Sequence, residues 1–288
     1  LNNQDSRSPC IIELAARSRG ARDTAIEESN MSKVALVVGG GKSLGAFLCK
    51  GLAEAGYRVA VADMDADSAK LTASEIAEVH GAENVMAVQA NATQEADVQR
   101  MVGAVDDRFG RIDLLVYNAG TATAAKIDQF PLDAWYRSIE VNLTGYFLCA
   151  REASKVMIRQ NGGRIIQINS KSGKVGSKHN SGYSAAKFGG VGLTQSLALD
   201  LAEHNITVHS LMLGNLLKSP MFQSLLPQYA KKLGIPEDQV EQVYIDKVPL
   251  KRGCDFQDVL NVLKFYASDE ASYCTGQSIN ITGGQVMF

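Results

Sequence analysis

With 288 residues, 45% of them hydrophobic, the chain is long enough for one α/β domain with a sizeable core. A formal net charge of −2 gives no reason to expect nucleic acid or an anionic membrane as partner, and no apolar run approaches the ~20 residues that span a bilayer. Cys10, Cys49, Cys149, Cys254 and Cys274 are scattered and form no Cys-x-x-Cys pair, so neither a disulfide framework nor a metal site is expected, and free thiols in a reducing cytoplasm are the natural reading.

Residues 1–30 carry no clean period and no strand pattern. Arg17, Arg19 and Arg22 flank a short apolar patch, Ile11-Ile12-Glu13-Leu14, that is not a secretory core, and Glu13, Asp23, Glu27 and Glu28 argue against a transit peptide. These residues are expected to be a non-core extension, leader or appended sequence, ahead of a domain over 31–288 that restarts at Met31. From Lys33 onward, apolar runs at 34–38, 58–62, 85–89, 114–117, 164–168, 207–211 and 278–281 read as strands buried on both faces. Helical periodicity fills the gaps at 44–55, 67–79, 95–109, 132–159, 183–203 and 256–267. This alternation predicts an α/β fold, a single doubly wound Rossmann-type parallel sheet of about seven strands with helices on both faces. Residues 213–250 break the rhythm with Pro220, Pro227, Pro236 and Pro249 and are expected to form a helical flap over the site.

Three segments carry chemistry. Val38-Gly39-Gly40-Gly41-Lys42-Ser43-Leu44-Gly45 joins a strand to a helix, where glycines admit a pyrophosphate and the helix N-terminus offers free N–H groups. Asp63 ends the second strand, 18 residues beyond Gly45; a carboxylate there accepts hydrogen bonds from ribose hydroxyls and repels a 2′-phosphate, although a turn or cap aspartate is the simpler alternative. Tyr183 and Lys187 stand four apart on a helix and share a face, and Ser170 lies 13 residues before the tyrosine. A neighbouring cation favours the phenolate, and a serine on a nearby loop would bind the oxygen whose proton moves.

Together with Tyr117-Asn118-Ala119-Gly120 after a buried strand and Asn142 in Val141-Asn142-Leu143, these motifs resemble the short-chain dehydrogenase/reductase family over 33–288. Gly39 and Gly45 match the first and last glycines of its Gly-x-x-x-Gly-x-Gly loop. Ser43 replaces the middle glycine and Val38 the usual threonine. The resemblance implies a cofactor held by Gly39, Lys42, Ser43, Leu44, Gly45, Asp63, Asn91, Asn118, Ala119, Gly120, Tyr183, Lys187, Leu216 and Ser219. Lys42 stands where members using NADP often carry a base, but Asp63 touches the distinguishing group directly, so NAD is expected. It further implies that Tyr183 is the acid–base, that Lys187 lowers the tyrosine pKa and holds the nicotinamide ribose, that Ser170 stabilises the substrate oxygen with Ser172 as its rival, and that Asn142 fixes a proton-relay water, unless it is simply a satisfied polar group within a helix. No metal is needed. A homotetramer built on the long helices is implied as well.

The stretch from Ser170 to Asn180 is unusual, with Lys171, Lys174, Lys178 and His179 between serine and tyrosine. Either it is a solvated charged loop, or it holds an anionic substrate, with Lys218 adding charge from the flap. The loop, the segment Leu213–Phe222 and the ending Gly283–Phe288 resemble those of family members acting on a sugar-alcohol phosphate. Two other readings stand beside that one: a reductase of 3-oxoacyl groups on a carrier protein, and a non-catalytic NAD-binding protein of the same fold. The first would prefer NADPH, against Asp63; the second would be expected to lack part of the Ser170, Tyr183, Lys187, Asn142 set.

Overall fold

A computed structural model describes residues 32–288; the extension expected at 1–30 lies outside the described residues. The strands are β1 (Val34–Val38), β2 (Arg58–Asp63), β3 (Val85–Gln89), β4 (Leu114–Tyr117), β5 (Gly163–Ser170), β6 (Ile206–Leu213) and β7 (Gln277–Ile281). They form one parallel sheet in the order β3-β2-β1-β4-β5-β6-β7. The expected doubly wound architecture is thus present, and every strand lies within two residues of its expected bounds. The order reverses between β1 and β4, and the crevice beyond the carboxyl ends of the strands at such a switch point is where α/β sheets bind ligands.

Alternation along β1 explains the two-sided burial. Val34, Leu36 and Val38 face one core, packed by α3 (Glu95–Phe109), α5 (Gly145–Arg159) and α6 (Ser181–Leu201). Ala35 and Val37 face the other, packed by α1 (Ser43–Glu54), α2 (Ala66–His80) and α10 (Phe256–Ala267). Each fully buried Val or Leu contributes about 1.5–3 kcal/mol, and these paired cores hold the loops above them in place.

The helix expected over 132–159 is interrupted. α4 (Leu132–Ile139) passes through a π-helical turn, Glu140–Thr144, before α5 begins. The cause lies underneath: Tyr117 Oη donates to the Val141 carbonyl at 2.5 Å, and a Cβ on Gly145 would stand 2.3 Å from that hydroxyl. A buried phenol inserted into the helix ladder widens the turn, and Gly145 makes the approach possible. α6 starts at Ser181 and stops at Leu201, two residues earlier at each end than expected. A 3₁₀ turn (Ala202–His204) follows, and Asn205 in the left-handed region then turns the chain into β6.

Residues 214–250 include three short helices, α7 (Pro220–Ser224), α8 (Leu226–Leu233) and α9 (Val240–Asp246). Prolines sit in the first turns of α7 and α8, where no N–H is missed. The segment packs on a cluster of its own, Leu217, Phe222, Ala230 and Val240. Phe222, Tyr229 and Tyr244 form a ring triad with centroids 5.3–5.4 Å apart. Among the described residues no helix is long and apolar enough to cross a membrane.

Candidate active site

One cleft of about 970 Å³ opens at the carboxyl ends of the strands and is lined from Asp63 and Asn91 at one end to Lys232, Lys247 and Gln285 at the other. The glycine loop forms its floor. Gly39 has φ +77, and a Cβ there would meet the Ala119 backbone N at 2.8 Å; a Cβ on Gly45 would meet the Gly39 carbonyl at 1.9 Å. Ser43, at the departure from the glycine pattern, takes φ 51, so the left-handed turn that glycine accepts freely is kept by a serine. Asn118 Nδ2 clamps the loop by donating to the Gly39 carbonyl at 2.8 Å. α1 starts without a side-chain cap, so its first N–H groups remain available to an anion. Tight glycines, an uncapped helix start and a carboxylate at the tip of β2 fit a dinucleotide.

At that tip, Asp63 Oδ2 accepts from the Gly41 N–H and Oδ1 from the Asp65 N–H, both at 3.0 Å. Lys42 turns to Asp65, with Nζ 2.5 Å from Oδ2. This hydrogen bond and its charge raise the lysine pKa and, with the Ser68 bonds, hold Asp65 below the usual carboxylate range. Asp65 also caps α2 by accepting from the Asp67 and Ser68 N–H groups. Asn91 folds its side-chain oxygen onto the Thr93 N–H and hydroxyl at 3.1 and 3.0 Å, while still lining the cleft. Leu44, Ala119, Gly120, Leu216 and Ser219 line it too. Ser219 additionally caps α7 through the Phe222 N–H at 3.2 Å.

Ser170 ends β5, and Tyr183 and Lys187 stand on the first turns of α6, so strand and helix bring all three to the middle of the cleft. The Ser170 hydroxyl lies on the Tyr183 side of the cleft, where it favours the phenolate, and accepts from the Ser172 N–H at 3.2 Å. Ser172 lines the cleft beside it. Burial pushes the Tyr183 phenol up to about 12, opposed by the Ser170 hydroxyl. The depression by Lys187 expected from sequence does not dominate: the ammonium lies 5.5 Å from the ring centroid and donates to the Ile168 carbonyl at 3.1 Å. Burial pulls Lys187 itself down to about 8.

Asn142 lies in the π turn, fully buried. Its Nδ2 donates to the Thr121 and Ser138 carbonyls at 2.8 and 2.9 Å, and its Oδ1 accepts from the Thr121 N–H at 3.3 Å. Its side chain therefore braces the loop over Gly120, which is also near Lys187: a Cβ on Gly120 would lie 3.1 Å from Asn142 Oδ1 and 3.9 Å from Lys187 Nζ.

The lysines expected to bind an anion divide. Lys171 and Lys178 line the cleft. Lys174 does not: its Nζ donates to the Ser278 and Phe288 carbonyls at 2.8 and 2.5 Å. Lys218 is not among the lining residues either, because the start of the 214–250 segment sends Leu217, not its neighbour, into the local core. Lys232 and Lys247, from α8 and the end of α9, line the cleft instead. Sequence reasoning missed them, as it missed Asp65. The Asp65-Ala66-Asp67-Ser68 run carried a readable cap signal, whereas nothing local marks Lys232 or Lys247.

A family model described as short chain dehydrogenase matches residues 33–230. Sorbitol-6-phosphate 2-dehydrogenase of Escherichia coli (strain K12) is 71% identical over 259 residues, which cover 90% of this chain and 100% of that protein. The crystal structure of sorbitol-6-phosphate 2-dehydrogenase from Erwinia amylovora is 70% identical with a TM-score of 0.87, covering 88% of this chain and 100% of that one. NAD⁺-bound xylitol dehydrogenase matches with a TM-score of 0.84 at 31% identity, over 88% of this chain and 100% of that one. The resemblance read from the glycine loop, the Asn-Ala-Gly turn and the Ser-Tyr-Lys set therefore holds: the chain belongs to the short-chain dehydrogenase/reductase family.

Proposed function

We propose that the chain catalyses NAD-dependent oxidation of sorbitol 6-phosphate to fructose 6-phosphate. The observation that carries this reading is 71% identity across the full length of an enzyme of that name, joined to a complete Ser170, Tyr183, Lys187 and Asn142 set. The nicotinamide cofactor supplies the hydride acceptor when bound. The uncapped start of α1 and the glycine loop receive its pyrophosphate, and Asp63 receives the adenosine ribose. NAD is favoured over NADP because Asp63 repels a 2′-phosphate and Asp65 takes the one loop cation, Lys42, that would attract it.

Oxidation of a secondary alcohol needs a base at its hydroxyl and a fixed approach of carbon to acceptor. Ser170 Oγ bonds the reacting oxygen and the Tyr183 phenol orients beside it. The phenolate form of Tyr183 takes the hydroxyl proton. Lys187 stabilises that phenolate by its charge and passes protons onward, while Asn142, fully buried behind the lining, braces the loop at Thr121. In the reverse direction the same phenol donates. The segment 213–250, whose first residue ends β6, serves as the substrate flap within the domain at 31–288, and the enzyme is expected to act in the cytoplasm.

A homotetramer is proposed on the helix faces. Tyr136, Phe147, Phe188 and Leu199 are 56%, 41%, 46% and 82% exposed on α4, α5 and α6, which leaves apolar side chains on these helices for a second subunit to cover. Light scattering that returns a monomer mass would remove this part of the reading.

The deciding experiment is a spectrophotometric assay of NADH formation with sorbitol 6-phosphate, sorbitol and mannitol 1-phosphate. Sorbitol 6-phosphate should be the best of the three by a wide margin. Absence of NADH formation from it, with a carrier-linked or other ketone reduced instead, would overturn the proposal.

A further inference from the structure

Four ammonium groups line one end of the cleft. Lys171 and Lys178 come from the loop between Ser170 and Tyr183; Lys232 and Lys247 come from α8 and the end of α9. Among the described residues none of the four makes an ion pair. Among the described residues the only acids lining the cleft are Asp63, at the tip of β2, and Glu140, in the π turn. Like charges gathered without an acid repel one another, and a fold tolerates this where an anion offsets it.

Three of the ammonium groups, those of Lys171, Lys232 and Lys247, make neutral contacts that orient them. Lys171 Nζ donates to the Gln285 side-chain oxygen at 2.6 Å. Lys232 Nζ donates to the Lys178 carbonyl at 2.9 Å, which ties α8 to the loop. Lys247 Nζ lies 5.4 Å from the centroid of Tyr244, itself a member of the ring triad that holds α7, α8 and α9 together. Asn180 of the loop and Tyr229 of α8 line the cleft along the same seam. Burial, then Lys247 and Lys232, pull Lys171 down to about 8; burial, then Lys247 and Lys178, lower Lys232. The shared cleft and the Lys232–Lys178 tie bring loop and flap lysines to one place, and the lowered Lys171 and Lys232 agree with that crowding.

We propose that Lys171, Lys178, Lys232 and Lys247 form one site for a tetrahedral dianion, that it receives the phosphate group of the substrate, and that the flap supplies half of its charge. The inference rests on the reading of this cleft as the seat of a phosphorylated polyol. Compact ammonium groups on separate elements converge on phosphate as point charges, each with three donors for its oxygens. The nucleotide pyrophosphate has its own cradle at residues 39–45, on the other side of the sheet's switch point. Lys174 and Lys218 take no part. Because Lys232 and Lys247 belong to the flap, the phosphate draws the flap and the loop from Ser170 to Asn180 onto the same ligand. Charge remote from the reacting carbon is then used to orient the hydroxyl beside Tyr183, which affects turnover as well as binding.

The test compares Lys232→Met and Lys247→Met with Lys231→Met, an equal charge change on an exposed residue of α8 outside the cleft. Steady-state kcat/KM is measured with NAD for sorbitol 6-phosphate and for sorbitol, with thermal stabilisation by inorganic phosphate as a second readout. Each cleft variant should lose about 10- to 100-fold with sorbitol 6-phosphate and less than ~3-fold with sorbitol, while Lys231→Met stays near wild type. Inorganic phosphate should raise the melting temperature of wild type and of Lys231→Met, and do so less in the cleft variants. An unchanged ratio between the two substrates in Lys232→Met and Lys247→Met overturns the site while leaving the proposed reaction standing. A wild type that ignores sorbitol 6-phosphate yet gains stability from phosphate through these lysines overturns the reaction and keeps the anion site. Phosphate stabilisation absent from wild type, or equal in all variants, overturns the site on its own.

Discussion

Lys42 Nζ lies 2.5 Å from Asp65 Oδ2, so the only cation in the glycine loop is bound to an acid two residues beyond Asp63. The pair lies at the surface and contributes little to stability. Its effect is on the field that a 2′-phosphate would meet. Asp65→Asn should release Lys42 and lower the NAD over NADP preference in kcat/KM by roughly tenfold. The Lys42→Met, Asp65→Asn double variant should not gain NADP use. Equal gains in single and double variants would show that Lys42 has no part in selectivity.

Tyr183→Phe removes the proton acceptor and leaves the ring packing in place. Turnover should fall at least ~10²-fold, with NADH binding retained. In wild type the phenol sits at about 12, so it is protonated at neutral pH and its basic fraction grows about tenfold per pH unit. The rate of alcohol oxidation should therefore rise with pH from neutrality. The residual rate of Tyr183→Phe should lack that rise; a parallel rise in both proteins would assign the titration elsewhere.

Lys171→Met should stabilise the protein while impairing its activity on a phosphorylated substrate. The folded-state value of Lys171, about 8, is below the ordinary lysine value of 10.5. Between those pH values the unfolded chain binds more protons, so wild-type stability rises with pH across the window and the penalty is fully present below about 8. Removing the ammonium should add on the order of 1–2 kcal/mol at neutral pH, after loss of the Gln285 bond is counted. The gain should shrink above the window. Melting curves at neutral and alkaline pH decide it, and a variant less stable than wild type at neutral pH contradicts the account. Lys187, also pulled down to about 8, keeps part of the pH dependence in either protein.

Ser43→Gly should raise stability by up to about 1 kcal/mol, because φ 51 strains a residue with a Cβ. Ser43→Val should lower stability and weaken NAD binding together, since a β-branched side chain tolerates this conformation least. Thermal unfolding with and without NAD separates the two effects. A destabilised glycine variant would mean the serine hydroxyl contributes more than its backbone costs.

The parallel sheet was legible because both its faces are covered: strands such as Val34–Val38 read as unbroken apolar runs with glycines or acids at their ends. The meeting of Ser170, Tyr183 and Lys187 at one cleft was legible because a strand end and one helix face set their spacing. The π turn was not, since its cause is Tyr117, a residue of β4 whose hydroxyl enters the helix from outside. Lys174 and Lys178 look alike in sequence, yet one turns to the carbonyls of Ser278 and Phe288 and the other to the cleft. Lys232 and Lys247 escaped notice because their direction depends on how three short helices pack on Phe222 and Tyr244, a relation with no sequence period.

That small separate core makes the enzyme's parts unequal in their freedom to change. Ser170, Asp63 and the glycine loop rise from strands locked on both sides by the main cores, so substitution near them propagates through the sheet. Lys232 and Lys247 sit on a patch that packs chiefly on itself through Leu217, Phe222, Ala230 and Val240. If the proposed function holds, new side chains on the inner face of that patch would change which alcohol fits while leaving the strand ends at Ser170 and Asp63 in place, so diversification within this fold would run through residues 214–250.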